Sequence, residues 1–130
     1  MRHIFLPLFA LIVVSCNDDN NCNGNLVCTE EFRTVLIEIV DGDGEPVTLD
    51  SYTVTNLDTE TTLQVEDVPG ISGYPIANDA LLDELPRDGH NLELVGLLNG
   101  AEVVRETFLV GHDCCHVILL EGNTTIQLSL

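Results

Sequence analysis

The feature that most constrains this chain is a series of short segments in which apolar and polar residues alternate. In residues 33–40, for example, Val35, Ile37 and Ile39 fall on one face of an extended chain. A period of two residues is typical of strands with one buried face. Seven segments are predicted as strands: residues 33–40, 51–57, 61–66, 91–98, 101–110, 114–120 and 124–130.

Turn sequences separate these segments at regular spacing. Asn99-Gly100 between two apolar runs is a strong hairpin signal, because both turn positions need positive φ. Residues 121–123 (Glu-Gly-Asn) predict a second hairpin. One short helical stretch is predicted over residues 78–85, with Asn78 as its cap and Pro86 as its stop. The pattern predicts an all-β fold, a single antiparallel β-sandwich of about seven strands.

The N-terminus has the composition of an export signal. Arg2 and His3 precede an apolar run over residues 4–14. That run of about 11 residues is too short to span a bilayer, which needs roughly 20. Residues 13–16 (Val-Val-Ser-Cys) resemble a lipobox, the cleavage and lipidation motif of bacterial lipoproteins. The resemblance implies removal of residues 1–15 and lipidation of Cys16, and the other interpretation is an ordinary cleaved signal with a chance cysteine.

The chain is therefore divided into a signal peptide (1–15), a lipidated polar tether (16–27) and a sandwich domain (28–130). The tether is short, flexible and rich in turn-forming residues. Asp18 and Asp19 resemble the acidic surface-export signal of lipoproteins from the Bacteroidetes group, and a solvated linker is the other interpretation. The expected location is the cell envelope, as an outer-membrane lipoprotein; the export-signal interpretation of the acidic pair would place it on the exposed face, and the linker interpretation leaves the face open.

Four further cysteines predict two disulfides, as in other small exported domains. Cys114 and Cys115 are neighbours, and a bond between adjacent cysteines is strained. We therefore expect each of them to pair with one of Cys22 and Cys28, which would tie the tether to a late strand.

The charge of the chain restricts the classes of partner that it can bind. The sequence has 22 acidic residues against 4 basic ones and a formal net charge of −18. Nucleic acid and anionic lipid both need positive charge to bind, so neither is expected as a partner. The membrane is expected to be contacted through the lipid anchor, and the remaining partner is an unidentified protein or glycan.

Residues 35–47 (VLIEIVDGDGEPV) carry a second resemblance. They are similar to the first hairpin of carboxypeptidase regulatory-like (transthyretin-like) and immunoglobulin-like domains of Bacteroidetes surface proteins. The small residues expected in the next strand are replaced by residues 48–52 (Thr-Leu-Asp-Ser-Tyr). The resemblance implies a non-catalytic module and no catalytic residue.

Two clusters could bind metal ions. Asp41, Asp43 and Glu45 offer alternating carboxylates for calcium, although the spacing does not fit an EF-hand. The other interpretation is a tight turn with solvated acids. In the second cluster, His112 and His116 flank Cys114 at alternate positions. On a strand these three would share one face and could bind zinc or copper if Cys114 were reduced. The other interpretation is a disulfide with unliganded histidines.

Catalytic signals are weak. The serines have no nucleophile-elbow motif, and phosphate-binding loops are absent from the sequence. Tyr74 in residues 70–75 would suit sugar or peptide recognition if exposed, or it packs over a sandwich edge. We therefore expect a lipid-anchored, non-catalytic binding or structural module without a cofactor. The alternatives are a metal-binding lipoprotein and an envelope hydrolase.

Overall fold

A computed structural model describes Cys22 and residues 26–130. The described part contains eight strands: β1 (Thr34–Val40), β2 (Ser51–Asn56), β3 (Thr61–Leu63), β4 (Tyr74–Asn78), β5 (His90–Leu98), β6 (Ala101–His112), β7 (Val117–Glu121) and β8 (Thr125–Gln127). They form a three-stranded sheet, β4-β1-β8, and a five-stranded sheet, β3-β2-β5-β6-β7. The all-β sandwich is therefore confirmed. The predicted signal peptide, Cys16 and most of the tether lie outside the described residues.

The core lies between the two sheets and is built from the alternating apolar positions. Ile37 and Ile39 of β1 and Leu92 and Leu94 of β5 belong to this core, and all four are at most 2% exposed. Phe108 of β6 is the largest fully buried side chain. Removing these side chains from water stabilises the fold by about 25 cal/mol for each Å² of apolar surface.

The first predicted hairpin is confirmed and the second is wrong. Asn99 and Gly100 adopt φ values of 53° and 77° and join β5 to β6. The turn after β7, however, carries the chain from the five-stranded sheet to the three-stranded sheet, where β8 pairs with β1. This pair is parallel, unlike the other pairs. Parallel strands require a long connection, and strands β2–β7, which lie between β1 and β8 in the sequence, supply it.

Strand β4 is not among the seven predicted strands, and Pro75 lies within it. Proline lacks a backbone N–H and is tolerated on an edge strand, which is the position β4 occupies. The register with β1 shifts between Val35 and Leu36, next to the proline. The predicted helical stretch is a 3₁₀ turn, Asp79–Leu81, and Asn78 caps it as expected by accepting the N–H of Ala80 at 3.0 Å. Within the described residues, none of the helical segments is long and apolar enough to cross a membrane.

The sandwich has two distinct ends. At the first, which we call the cysteine end, the β6–β7 turn (residues 113–116) meets the 3₁₀ turn, and the N–H of Val117 donates to Asp79 at 2.8 Å. At the opposite end, the N–H of Asn99 in the β5–β6 turn donates to Asp50 at 2.6 Å. Strand β6 runs between the two ends and has 12 residues. At roughly 3.3 Å per residue, the ends are about 36 Å apart.

Candidate functional sites

The two disulfides lie at the cysteine end. Cys22 is joined to Cys114, and Cys28 is joined to Cys115, with Cα–Cα distances of 5.5 Å and 5.3 Å. Each neighbouring cysteine therefore pairs with one early cysteine, as predicted. The segment that precedes β1 is thereby fixed to the β6–β7 turn at two points.

The β6–β7 turn differs from the predicted strand over residues 114–120. Strand β6 extends to His112, and β7 begins only at Val117. Between them, the Asp113 carboxylate accepts the N–H groups of Cys115 at 2.9 Å and His116 at 2.7 Å. These two bonds, the His116 bond first, hold the pKa of Asp113 below its usual value. Such a side-chain-capped turn is favoured by Asp, and no strand pattern reveals it.

The predicted zinc or copper face of His112, Cys114 and His116 does not form. Cys114 has a φ of 76° in the turn, so the three residues do not alternate along one strand. Its sulfur is bonded to Cys22, and a disulfide sulfur is not the thiolate that zinc requires. The ligand atoms of Cys22, His112 and Cys114 do lie within 4.8 Å of one another. Nδ1 of His112 accepts the N–H of Cys114 at 2.9 Å, so His112 supports the turn.

His116 is instead the centre of a hydrogen-bonded chain. Its Nδ1 lies 2.7 Å from the Asp79 carboxylate, and its Nε2 lies 2.9 Å from the Thr29 hydroxyl. The His116 side chain is 6% exposed, and the Asp79 side chain is 9% exposed. Asp79 also accepts the N–H groups of Arg33 at 2.8 Å and Val117 at 2.8 Å.

These contacts set the charge of Asp79. Burial alone would raise the pKa of its carboxyl, but the hydrogen bonds from the Arg33 backbone, the His116 ring and the Val117 backbone outweigh burial, and the pKa lies below its usual value. Asp79 is therefore an ionised, part-buried junction between the 3₁₀ turn, β1 and β7. Neither Thr29 nor Asp79 is among the site residues predicted from the sequence. The position of Asp79 directly after a helix cap was the available signal.

The Thr29–His116–Asp79 chain has the order of a nucleophile, a base and an orienting carboxylate. The Thr29 hydroxyl also donates to the Glu31 carboxylate at 3.1 Å. The Thr29 proton is thus engaged with Glu31. The contacts of His116 with Thr29 and Asp79 join the segment before β1 to the 3₁₀ turn.

The predicted calcium cluster is a turn between β1 and β2. The Asp41 carboxylate accepts the N–H groups of Asp43 at 2.9 Å and Glu45 at 3.0 Å. Gly44 has a φ of 82°, which glycine adopts without strain. Within the described part of the chain, the carboxylate oxygens of Asp41, Asp43 and Glu45 do not all lie within 4.8 Å of one another, so they do not form a cluster of three metal ligands. The geometry favours the tight-turn interpretation.

The end opposite the cysteines contains a groove with a volume of about 650 Å³. This lies within the range of roughly 300–1,000 Å³ that is usual for ligand pockets. The end of β1, the β1–β2 connection and the segment before β4 form its walls. We call this feature the distal groove, and its end of the sandwich the groove end.

Two tyrosines form a rigid part of the groove wall. The rings of Tyr52 and Tyr74 meet edge to face, with their centroids 5.0 Å apart. The Tyr74 hydroxyl donates to the Val47 carbonyl at 2.7 Å and accepts the N–H of Leu49 at 2.8 Å. The Tyr52 hydroxyl donates to the Pro75 carbonyl at 3.2 Å. Tyr74 is therefore half-buried at the sandwich edge. This agrees with the predicted packing over a sandwich edge. The same side chain also shapes the groove.

The lining of the distal groove is apolar and acidic. Val68 and Ile71 contribute apolar surface, and the Ile71 residue is 54% exposed. Glu38, Asp50 and Asp67 contribute carboxylates, and within the described chain no arginine lines the groove. Burial, followed by the negative charge of Asp67, raises the pKa of Tyr52. The field in the groove therefore favours a cation.

Searches with the sequence and the structure found no match to a protein-family model, a curated protein or a solved structure. Function is therefore inferred from the chemistry of the two ends of the sandwich.

Proposed function

We propose that the mature protein is a lipid-anchored, non-catalytic binding module of the bacterial cell envelope. In this proposal Cys16 carries the lipid, the cysteine end faces the membrane and the distal groove faces away from it. The short apolar run before Cys16 and the four paired cysteines support export to an oxidising compartment. The high negative charge supports a neutral or cationic partner.

The observation that carries this proposal is the Cys22–Cys114 disulfide. Cys22 lies six positions after Cys16, so the chain between their Cα atoms reaches about 22 Å at most. A lipid on Cys16 would therefore keep the β6–β7 turn close to the membrane surface. The distal groove would then point outward, where a partner can reach it.

The anchor is tested by metabolic labelling with radioactive palmitate. We expect label in the wild-type protein and none in Cys16→Ser. Absence of label from the wild type, or equal label in the variant, would contradict the lipid anchor.

The binding role is tested by placing a photo-crosslinking amino acid at Ile71, in the groove, in living cells. Leu57 is the matched control, because it is 43% exposed and follows the opposite end of β2. We expect a discrete crosslinked product from position 71 and none from position 57. If position 71 gives no product while the protein is folded and anchored, the groove is not a binding surface.

A hydrolase is the second candidate function, and the Thr29–His116–Asp79 chain is the observation that favours it. A fluorophosphonate probe would then label the wild-type protein at Thr29, and Thr29→Val would abolish the labelling. Unlabelled wild-type protein would leave the chain with its structural role.

A further inference from the structure

We propose that the distal groove binds an extended, basic peptide segment of a partner protein. This inference rests on the proposed function, in which the groove is the binding site, and it names the chemistry of the partner. Three properties of the groove support it: its charge, its apolar surface and the unpaired backbone beside it.

The charge of the groove is complementary to lysine or arginine. Asp67 makes no hydrogen bond or ion pair within the described residues, so its carboxylate is open to a ligand. The Asp50 carboxylate already accepts a hydrogen bond from the N–H of Asn99. Glu38 lines the same groove and adds a second carboxylate without a described partner. The chain contains no lysine of its own to occupy this place.

The apolar surface fits the stem of a long basic side chain. Ile71 and Val68 offer contacts for methylene groups, and Tyr52 and Tyr74 line the same groove. Lysine and arginine lay their methylene chains on such surfaces and keep their charged ends at the polar rim. An aromatic face within about 6 Å of the charge adds to the attraction.

The neighbouring backbone favours a peptide over a small amine. Strand β3 is the edge of the five-stranded sheet, and residues 64–67 follow it toward the groove. The backbone groups of these four residues have no backbone hydrogen-bond partner in the described chain. A second depression of about 190 Å³ lies on the β3 side and shares Tyr52 and Asp67 with the groove. An extended peptide can pair with such an edge and continue from one depression into the other.

Fluorescence anisotropy tests the proposal with the mature lipoprotein in neutral detergent. The probes are labelled, capped hexapeptides in which lysine or arginine alternates with valine, leucine or tyrosine. The matched control peptides carry glutamate in place of the basic residue, and spermidine serves as a small-amine competitor. We expect saturable binding of basic peptides that weakens as the salt concentration rises.

Two groove variants and one remote variant locate the binding site. Asp67→Asn removes a charge, and Ile71→Ser removes an exposed apolar contact, so each should weaken binding by about fivefold. Asp83→Asn removes the same charge at an exposed position after the 3₁₀ turn, at the cysteine end, and should leave the affinity unchanged. Circular dichroism of each variant checks that the sandwich is intact.

Four results would overturn the inference. The first is that no basic peptide binds saturably, and the second is that the glutamate peptides bind as tightly as the basic ones. The third is that Asp83→Asn loses as much affinity as the groove variants. The fourth is that spermidine displaces the peptide at a concentration equal to that of the peptide. Crosslinking from position 71 reports separately on the proposed function. A crosslink to a glycan or an acidic segment would retain the binding role and reject the basic peptide, whereas absence of any crosslink would reject the binding role itself.

Discussion

At the scale of single residues, close approach and hydrogen bonding decide which side chains the fold accepts. Gly111 lies in the buried part of β6, where the chain passes the segment before β5. A Cβ at this position would lie 2.5 Å from the Arg87 carbonyl oxygen and 2.9 Å from a Leu120 methyl group. The absence of a side chain therefore allows a backbone contact that another residue would block.

We expect Gly111→Ala to reduce the free energy of unfolding by about 1–3 kcal/mol, because backbone must move to admit the methyl group. Gly42→Ala is the control, since a Cβ there has nothing within 4 Å. Urea denaturation of both variants measures the difference. Equal stability of the two variants would show that β6 adjusts freely at this point.

Asp79 carries the second prediction at this scale. Asp79→Asn removes the charge that accepts bonds from the His116 ring and two backbone N–H groups. We expect a loss of about 2 kcal/mol in the free energy of unfolding at neutral pH. The exposed Asp83 provides the control variant, Asp83→Asn, which should change little.

The same residue predicts the pH dependence of stability. The pKa of Asp79 is lower in the folded protein than its usual value, so the unfolded chain binds more protons in the acid range. Its contribution is therefore complete above the usual carboxyl pKa of about 4 and is lost as the pH falls through the lower, folded value. Denaturation curves from pH 7 to pH 2 should fall less steeply for Asp79→Asn. A wild-type curve with the same slope as the variant would contradict this assignment.

At the scale of elements, the three-stranded sheet depends on strands from distant parts of the chain. Strand β8 is short, but Leu128 directly after it is 6% exposed, and its N–H donates to the Val40 carbonyl at 2.8 Å. Leu130, two residues later, is 72% exposed, although alternation along the predicted strand 124–130 places Leu128 and Leu130 on the same face. The chain leaves the sheet after Leu128, so alternation no longer reports on burial.

We expect Leu128→Ala to cost about 2–3 kcal/mol, because a buried side chain is replaced by a cavity at the edge of β1. Leu130→Ala should have almost no effect, because its side chain is already in water. Thermal unfolding of the two variants tests the difference. A similar loss from both would mean that the C-terminus packs beyond Leu128.

At the scale of the whole molecule, the two disulfides act on the same pair of segments. Either bond closes a large loop, with sequence separations of 92 and 87 residues. With one bond in place, the second closes only a small ring through residues 22–28 and 114–115. The second bond therefore removes much less entropy from the unfolded chain than the first.

This predicts that the effects of the two bonds are not additive. Replacing Cys22 and Cys114 by serine, or Cys28 and Cys115 by serine, should cost about 2–3 kcal/mol while the other bond remains. Replacing all four should cost about 7 kcal/mol, more than the two separate losses together, because the large loop is then open. Urea denaturation of the three variants decides this. Simple additivity would show that the segment before β1 folds independently of the bonds.

Local sequence patterns predicted the features that depend on residues close together in the chain. Period-two alternation located seven of the eight strands, positive φ at Asn99 and Gly100 required the β5–β6 hairpin, and the adjacency of Cys114 and Cys115 restricted the disulfide pairing. Tertiary structure decided the rest, because contacts between distant segments leave no local pattern. It placed the edge strand β4 despite Pro75, sent β8 to β1, joined Thr29 to Asp79 through His116 and set the distal groove opposite the cysteines.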